Sequence, residues 1–255
     1  MAKHPEALPS KMKETAYFLD KVGDKNRKAN YINHNLSKYK TLFDPFNGER
    51  VVFESTPDYI YSTNALEGLS KIDPLPRILF IYRNPTERIY SEYKFHRYKT
   101  KFFKGSFSDY LGWNGETFSS EYFKRGKIVS LMNKWHGVFG DNLIVFNFKD
   151  LHHPKQFITK LCTLLGIDHQ FYADFDFTIK NATFGLRNRK LHLIGLKLQS
   201  FVPHWLRKTI IPIYYRFNKT SLPDKTSSEV ELLEKLKEAY AEETIDKIKA
   251  KVIEV

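Results

Sequence analysis

Arg83 directly follows the apolar run Arg77 to Tyr82 (RILFIY) and directly precedes Asn84-Pro85, a pair that opens helices. An arginine fork at a strand end, beside a helix N-terminus, suits a phosphate: the guanidinium donates in a plane and the helix end is electropositive. Ser91 lies six residues beyond Pro85. That is about 9 Å along the helix axis, where its hydroxyl can add another donor. Two glutamates could serve as acid–base groups. Glu14 follows Lys11 and Lys13 and precedes Tyr17-Phe18; beside lysines, a surface ion pair is the plainer expectation and a general base the sharper one. Glu54 ends the run Val51-Val52-Phe53 and precedes Ser55-Thr56-Pro57 and Tyr59, which describes a strand-terminating turn with a solvated carboxylate. His152, His153, His169, His192 and His204 lack ligand-like spacing with acids, so no metal site is expected. Cys162 falls on the apolar face of a predicted helix and reads as a core residue.

Three short strands must position these groups. They are Val51 to Glu54, Arg77 to Tyr82 and Leu143 to Phe148 (LIVFNF). The continuous apolar run of the second predicts a strand buried on both faces. The helix after it is well marked: Asn84 as cap, Pro85 at its first position, and Glu87 where a carboxylate can return to the cap amide. Further helices are predicted over Lys127 to Phe139, Pro154 to Leu165 and Ser228 to Val252. In the last, Leu232, Leu233, Leu236, Tyr240, Ile245, Ile248 and Val252 follow one stripe. Alternating strands and helices mean an α/β fold with a mainly parallel sheet, whose ligands bind beyond the carboxyl ends of the strands.

Composition narrows the function classes. The 255 residues are 42% apolar, with 21 Phe and 15 Tyr, which excludes disorder as the main state. A single Cys excludes an internal disulfide framework and a Cys-rich zinc module, and it fits a reducing compartment. The net charge of +12 favours anionic partners: nucleic acid, anionic lipid, acidic glycans or nucleotides. No apolar run reaches the ~18 residues of a membrane span, and Met1 to Ser10 lacks the apolar stretch of a secretory signal. The sequons at Asn35, Asn181 and Asn218 carry weight only in a secreted protein.

Arg83 to Tyr93 (RNPTERIYSEY) resembles the R-x-P-x-x-R-x-x-S-x-Y block of sulfotransferases that use 3′-phosphoadenosine-5′-phosphosulfate (PAPS). It is most similar to the carbohydrate branch, which includes heparan sulfate N- and 3-O-sulfotransferases. Four further stretches agree in order. His4-Pro5-Glu6 with Lys13-Glu14 and Tyr17-Phe18 resembles H-P-x…K-E-x-x-F-F. Glu54 to Tyr59 (ESTPDY) resembles E-x-(S/T)-P-x-Y. Trp135 to Leu151 resembles W-x-x-x-F…L-x-V-x-x-x-E-D-L, and Asn181-Ala-Thr with Arg187 resembles N-x-(S/T)…R.

The resemblance implies a P-loop-like single domain over residues 1–255, with a C-terminal helical extension from about 219. Arg83 and Ser91 would hold the donor's 3′-phosphate and Glu14 would act as catalytic base. Arg187, with Arg189 and Lys190, would close over the nucleotide or acceptor. The partners implied are PAPS, its product 3′,5′-ADP, and a glycan or other small hydroxylated acceptor. A metal, a nucleic acid or a membrane span is not implied; the setting implied is cytoplasmic, of bacterial type, with a luminal form as the alternative for a chain truncated at its N-terminus. Lys94, His96, Arg97, Lys99, Lys101 and Lys104 would then suit an acidic polysaccharide, although a solvated face accounts for them equally.

The sequence departs from the pattern in three places. No K-x-G-T-T-S-L loop and no Walker loop occurs in the 255 residues, and Met1 stands three residues before His4. The expectation is a chain that starts late, without the first strand and the loop for the 5′-phosphosulfate. Lys149 stands where the family often has Glu, and Ser55 where vertebrate glycan enzymes have Lys. A non-catalytic polyanion- or nucleotide-binding remnant of the fold is the alternative. A P-loop kinase is disfavoured by the missing Walker loop.

Overall fold

A computed structural model describes residues 1–19, 36–100, 102–177, 185–188 and 203–255. In chain order the elements are β1 (Ala7–Pro9), α1 (Leu36–Lys40), β2 (Val51–Phe53), α2 (Thr63–Leu69), β3 (Ile78–Tyr82) and α3 (Pro85–Lys94). Then follow α4 (Phe107–Leu111), α5 (Glu121–Lys124), α6 (Val129–Phe139), β4 (Leu143–Asn147) and α7 (Pro154–Leu165). The last are β5 (Gly185–Leu186), α8 (His204–Asn218), β6 (Lys219–Thr220), α9 (Ser227–Ala239) and β7 (Lys251–Ile253). The chain divides into two compact units. The first joins Met1–Asn84, Lys127–Thr178 and Glu242–Val255; the second joins Pro85–Gly126 and Ile179–Ala241.

The first unit is built on parallel strands, in the order β3-β4-β7 in one sheet and β1-β2 in another. In β4, Leu143 and Val145 face one core and Ile144 and Phe146 the other, because successive side chains alternate. On the first face α6 contributes Met132, Trp135 and Phe139, spaced to share one helix side, with Tyr17, Phe18, Tyr59 and Ile60 packed beside them. On the second face α7 contributes Ile158, Leu161 and Cys162. Helix α7 ends where Gly166 takes the left-handed conformation (φ 70°), which lets the Ile167 N–H donate back to the Cys162 carbonyl at 3.0 Å.

Burial on both faces belongs to β4 and not to the RILFIY run. Leu79 and Ile81 of β3 remain 40% and 42% exposed, because they alternate to the face opposite Ile78 and Phe80, which pack against the first core. A second difference concerns the end of the chain. The predicted helix over Ser228 to Val252 stops at Ala239, and Lys251–Ile253 is instead a strand parallel to β4. Tyr240 turns inward, its hydroxyl donating to the Phe123 carbonyl at 2.6 Å, and Ile248 and Ala250 join the core of the first unit.

The second unit packs α3, α4, α5 and α9 around an aromatic core of Tyr90, Tyr93, Phe107, Tyr110, Phe123 and Tyr240. The predicted stripe of Leu232, Leu233 and Leu236 faces it. After α3 the chain runs into a π-turn at Phe95–Lys99. Among the described residues no helix is long and apolar enough to cross a membrane.

Candidate functional site

The carboxyl ends of the parallel strands gather the groups of the first unit. β3 pairs with β4 so that Tyr82 stands opposite Asn147. The next residues, Arg83 and Phe148, leave the sheet together, and the Arg83 guanidinium lies over the Phe148 ring, 4.4 Å from its centroid. Both side chains are half-buried. Phe148 is held by a capping box around it. The Asn147 side chain accepts from the Lys149 N–H at 3.0 Å, and the Asp150 carboxylate accepts from the Asn147 N–H at 2.9 Å. Asp150 of the sequence FNFKDL is thus a capping residue, and Lys149 points outward.

Glu54 is not the solvated glutamate that its turn suggested. Its carboxylate accepts four hydroxyls. Thr15 and Thr56 donate to Oε2 at 2.6 and 2.8 Å, and Tyr39 and Tyr59 donate to Oε1 at 2.8 and 2.9 Å. A carboxylate can only accept, so each hydroxyl directs its one proton inward and keeps its lone pairs for other donors. Those donors are backbone amides of the turn that follows Glu14. The Ala16 N–H donates to Thr56 Oγ1 at 3.2 Å and the Tyr17 N–H to the Tyr59 oxygen at 3.0 Å. The turn is tight enough to hold Ala16 at φ 50°, in the left-handed region an alanine seldom occupies. Burial first, and then the Glu54 charge, push the Tyr39 and Tyr59 hydroxyls well above the usual tyrosine range, so both remain donors.

Glu14, the predicted base, is half-buried on this turn, next in the chain to the clamped Thr15. Lys11, one of the lysines beside it in sequence, instead approaches Asp44 at 3.9 Å. His4 of the H-P segment is 3% exposed. Its Nδ1 accepts from the Glu6 N–H at 3.1 Å and its Nε2 donates to the Asp168 carbonyl at 2.7 Å, an arrangement that ties two loops together and fixes the tautomer.

The other predicted residues fall in the second unit. Ser91 is half-buried on α3. Arg187 is exposed just after β5, where its backbone N–H donates to the Asn218 carbonyl at 2.9 Å. Arg189, Lys190 and the Asn181-Ala-Thr segment lie outside the described residues, as do Asn35, Lys101 and His192. The third sequon, at Asn218, is 3% exposed, and its amide nitrogen donates to the Asn188 carbonyl at 3.0 Å. Part of the basic run after α3 serves local packing: Lys94 lies over the Tyr90 ring at 4.8 Å and Lys99 over Phe95 at 5.4 Å. Cys162 is fully buried, as expected of a core residue, and burial raises its thiol pKa. Among the described residues no group of three or more His, Cys, Asp or Glu is placed to hold a metal ion.

Two features were missed in the sequence. Tyr39 gave no signal, because it reaches Glu54 only through the fold. Phe148 could have been found by aligning the two strand ends, since both LIVFN and ILFIY are followed by the residues that meet.

No protein-family model matches the chain, and no curated protein sequence matches it. Among solved structures, a sulfotransferase from Alicyclobacillus acidocaldarius is similar at 22% sequence identity. The likeness covers 70% of this chain and 78% of that one, with a TM-score of 0.56. At that identity it establishes the fold: mixed α/β, with parallel sheets flanked by helices, of the P-loop-like kind found in that enzyme.

Proposed function

We propose that this chain moves a sulfuryl group from PAPS to a hydroxyl or amine, with a carbohydrate as acceptor. The observation that carries the proposal is the place of Arg83. It stands at the carboxyl end of β3 and opens a sequence block that resembles the donor-binding block of sulfotransferases, in a chain with the fold of one. In this reading Arg83 makes charge-assisted hydrogen bonds to the 3′-phosphate, and Ser91 of the same block adds its hydroxyl. Glu14 takes the proton of the acceptor as it attacks the sulfur in line and 3′,5′-ADP departs. The turn that carries Glu14 is fixed by the Glu54 hydroxyl cluster, which supports a base that needs a defined position. Arg187, exposed on its own unit, is the candidate for closing over nucleotide or acceptor. The acidic polysaccharide acceptor rests on the basic composition and the run around Arg97.

Calorimetric titration with 3′,5′-ADP and with 5′-AMP tests the donor site. A charged hydrogen bond of about 1.5–3 kcal/mol makes Arg83→Ala bind 3′,5′-ADP roughly 10- to 150-fold more weakly, with 5′-AMP little changed. Glu14→Gln keeps nucleotide affinity and loses transfer of labelled sulfate from PAPS to a polysaccharide bearing hydroxyl and amino groups. Equal affinity for the two nucleotides, together with heparin binding that falls steeply with salt, would instead mark the non-catalytic polyanion-binding alternative.

A further inference from the structure

Phe148 is contributed by a different strand from Arg83, and the first unit brings the two into contact through the β3–β4 register alone. An arginine at a strand end has a long, flexible stem, and an anion that binds it must first immobilise it. Here the guanidinium is already laid on an aromatic face, 4.4 Å from the ring centroid. The ring is itself fixed, because the Asn147 and Asp150 capping box closes the short helical turn on which it sits, and His152 meets it edge-on at 6.3 Å.

The chemistry of the contact is directional. The negative face of an aromatic ring attracts a cation placed over it, and it prefers the weakly hydrated, planar guanidinium. A guanidinium that lies flat on a ring engages it with the face of that plane. The N–H donors lie along its edge, which is the part that recognises a phosphate through two parallel hydrogen bonds. A ring in this position therefore orients the fork without competing for the donors. A leucine of similar bulk would keep the packing and lose the attraction.

We infer that Phe148 is a positioning residue for anion binding, holding the Arg83 guanidinium face-on so that its edge is presented to the 3′-phosphate of the nucleotide. The inference rests on the reading of Arg83 as the phosphate ligand and adds the device that pre-orders it.

The test is calorimetric titration of the full chain and of Phe148→Leu, Phe148→Tyr, Arg83→Ala and the double variant Arg83→Ala/Phe148→Leu, each first shown to be folded by circular dichroism. Phe148→Met replaces the leucine variant should that one fail to fold. Phe148→Leu is expected to weaken 3′,5′-ADP binding about 2- to 30-fold and to leave 5′-AMP unchanged. Phe148→Tyr, which keeps a π face, restores binding to within about 2-fold of wild type. In the Arg83→Ala background the leucine substitution has no further effect, because two residues acting as one unit are not additive. Wild-type affinity in Phe148→Leu beside weak binding by Arg83→Ala would overturn the positioning role and leave the phosphate assignment standing. An effect of Phe148→Leu that persists in the Arg83→Ala background would overturn it as well. Wild-type affinity in Arg83→Ala would remove the phosphate assignment itself, and the inference with it.

Discussion

Replacing Glu54 by glutamine preserves the side chain's shape and removes its charge. With the carboxylate in place, four hydroxyls at 2.6–2.9 Å all find an acceptor. A glutamine offers an acceptor on one side and a donating NH2 on the other, so two of the four hydroxyl protons lose the carboxylate; one of the two, on Thr15 or Tyr59, can turn to the other's oxygen 2.9 Å away, and the second is stranded. The stranded donor costs about 1–3 kcal/mol when fully buried, and the two bonds that survive lose their charge assistance, about 1 kcal/mol each. Glu54 is half-buried and water can satisfy part of this, so the net destabilisation is expected at about 2–4 kcal/mol. In urea that lowers the unfolding midpoint by roughly 1–2 M. Tyr39→Phe removes one donor and strands no other group, and should cost about 1–2 kcal/mol. Amide hydrogen exchange supplies a local check: Ala16 and Tyr17, whose N–H groups donate to Thr56 and Tyr59, should lose protection in Glu54→Gln. A glutamine variant within about 0.5 kcal/mol of wild type, or one no worse than Tyr39→Phe, would refute the claim that an ionised Glu54 organises this cluster.

Gly126→Ala should destabilise the second unit by about 1–3 kcal/mol, since the added Cβ would collide with the hydroxyl oxygen and Cζ of Tyr240. The ring cannot easily yield, being stacked on Phe123 at 5.0 Å and hydrogen-bonded to the Phe123 carbonyl, so an unchanged Tm would contradict the packing described. Alkaline pH should unfold the chain through its tyrosines. Burial raises Tyr39, Tyr59, Tyr90 and Tyr110 above the ordinary value of 10.0 and pushes Tyr93 up to about 12. Folded values above the unfolded one mean stability that is complete below pH 10 and is lost as pH rises beyond it. Phenolate absorbance followed beside circular dichroism should show these tyrosines ionising together with unfolding. Smooth titration of all 15 with the fold intact would count against their burial.

Local signals in the sequence were strong where local physics decides the outcome. The Asn84-Pro85 start placed α3, the boundaries of α7 matched the predicted Pro154 to Leu165, and the three predicted strands appear with one residue trimmed from each. β1 was missed because three residues ending in Pro9 carry almost no strand signal, and they pair only once β2 is beside them. β7 was hidden by a coincidence of spacing: Ile245 and Ile248 fit a helical stripe equally well as they fit a 3-10 turn leading into a strand. For the site, Arg83 and Glu54 could be named from their positions at strand ends. Their partners could not, because Phe148 and Tyr39 arrive through register and packing, neither of which is written in nearby residues.

The sheet that carries Arg83 is assembled from three distant stretches of chain, since β3, β4 and β7 lie at residues 78–82, 143–147 and 251–253. A ribosome delivers them in that order at about 5–20 residues per second. For several seconds of synthesis the most deeply buried of the described strands, LIVFN, has a partner on one edge and bare amides and carbonyls on the other. The whole second unit is made during the intervals between these strands, so it can fold while the first is still incomplete. Production of this protein should therefore be governed less by final stability than by how well nascent chains are kept apart until β7 emerges. Slower elongation or fewer available holdase chaperones would be felt as aggregation of chains that, once finished, are sound.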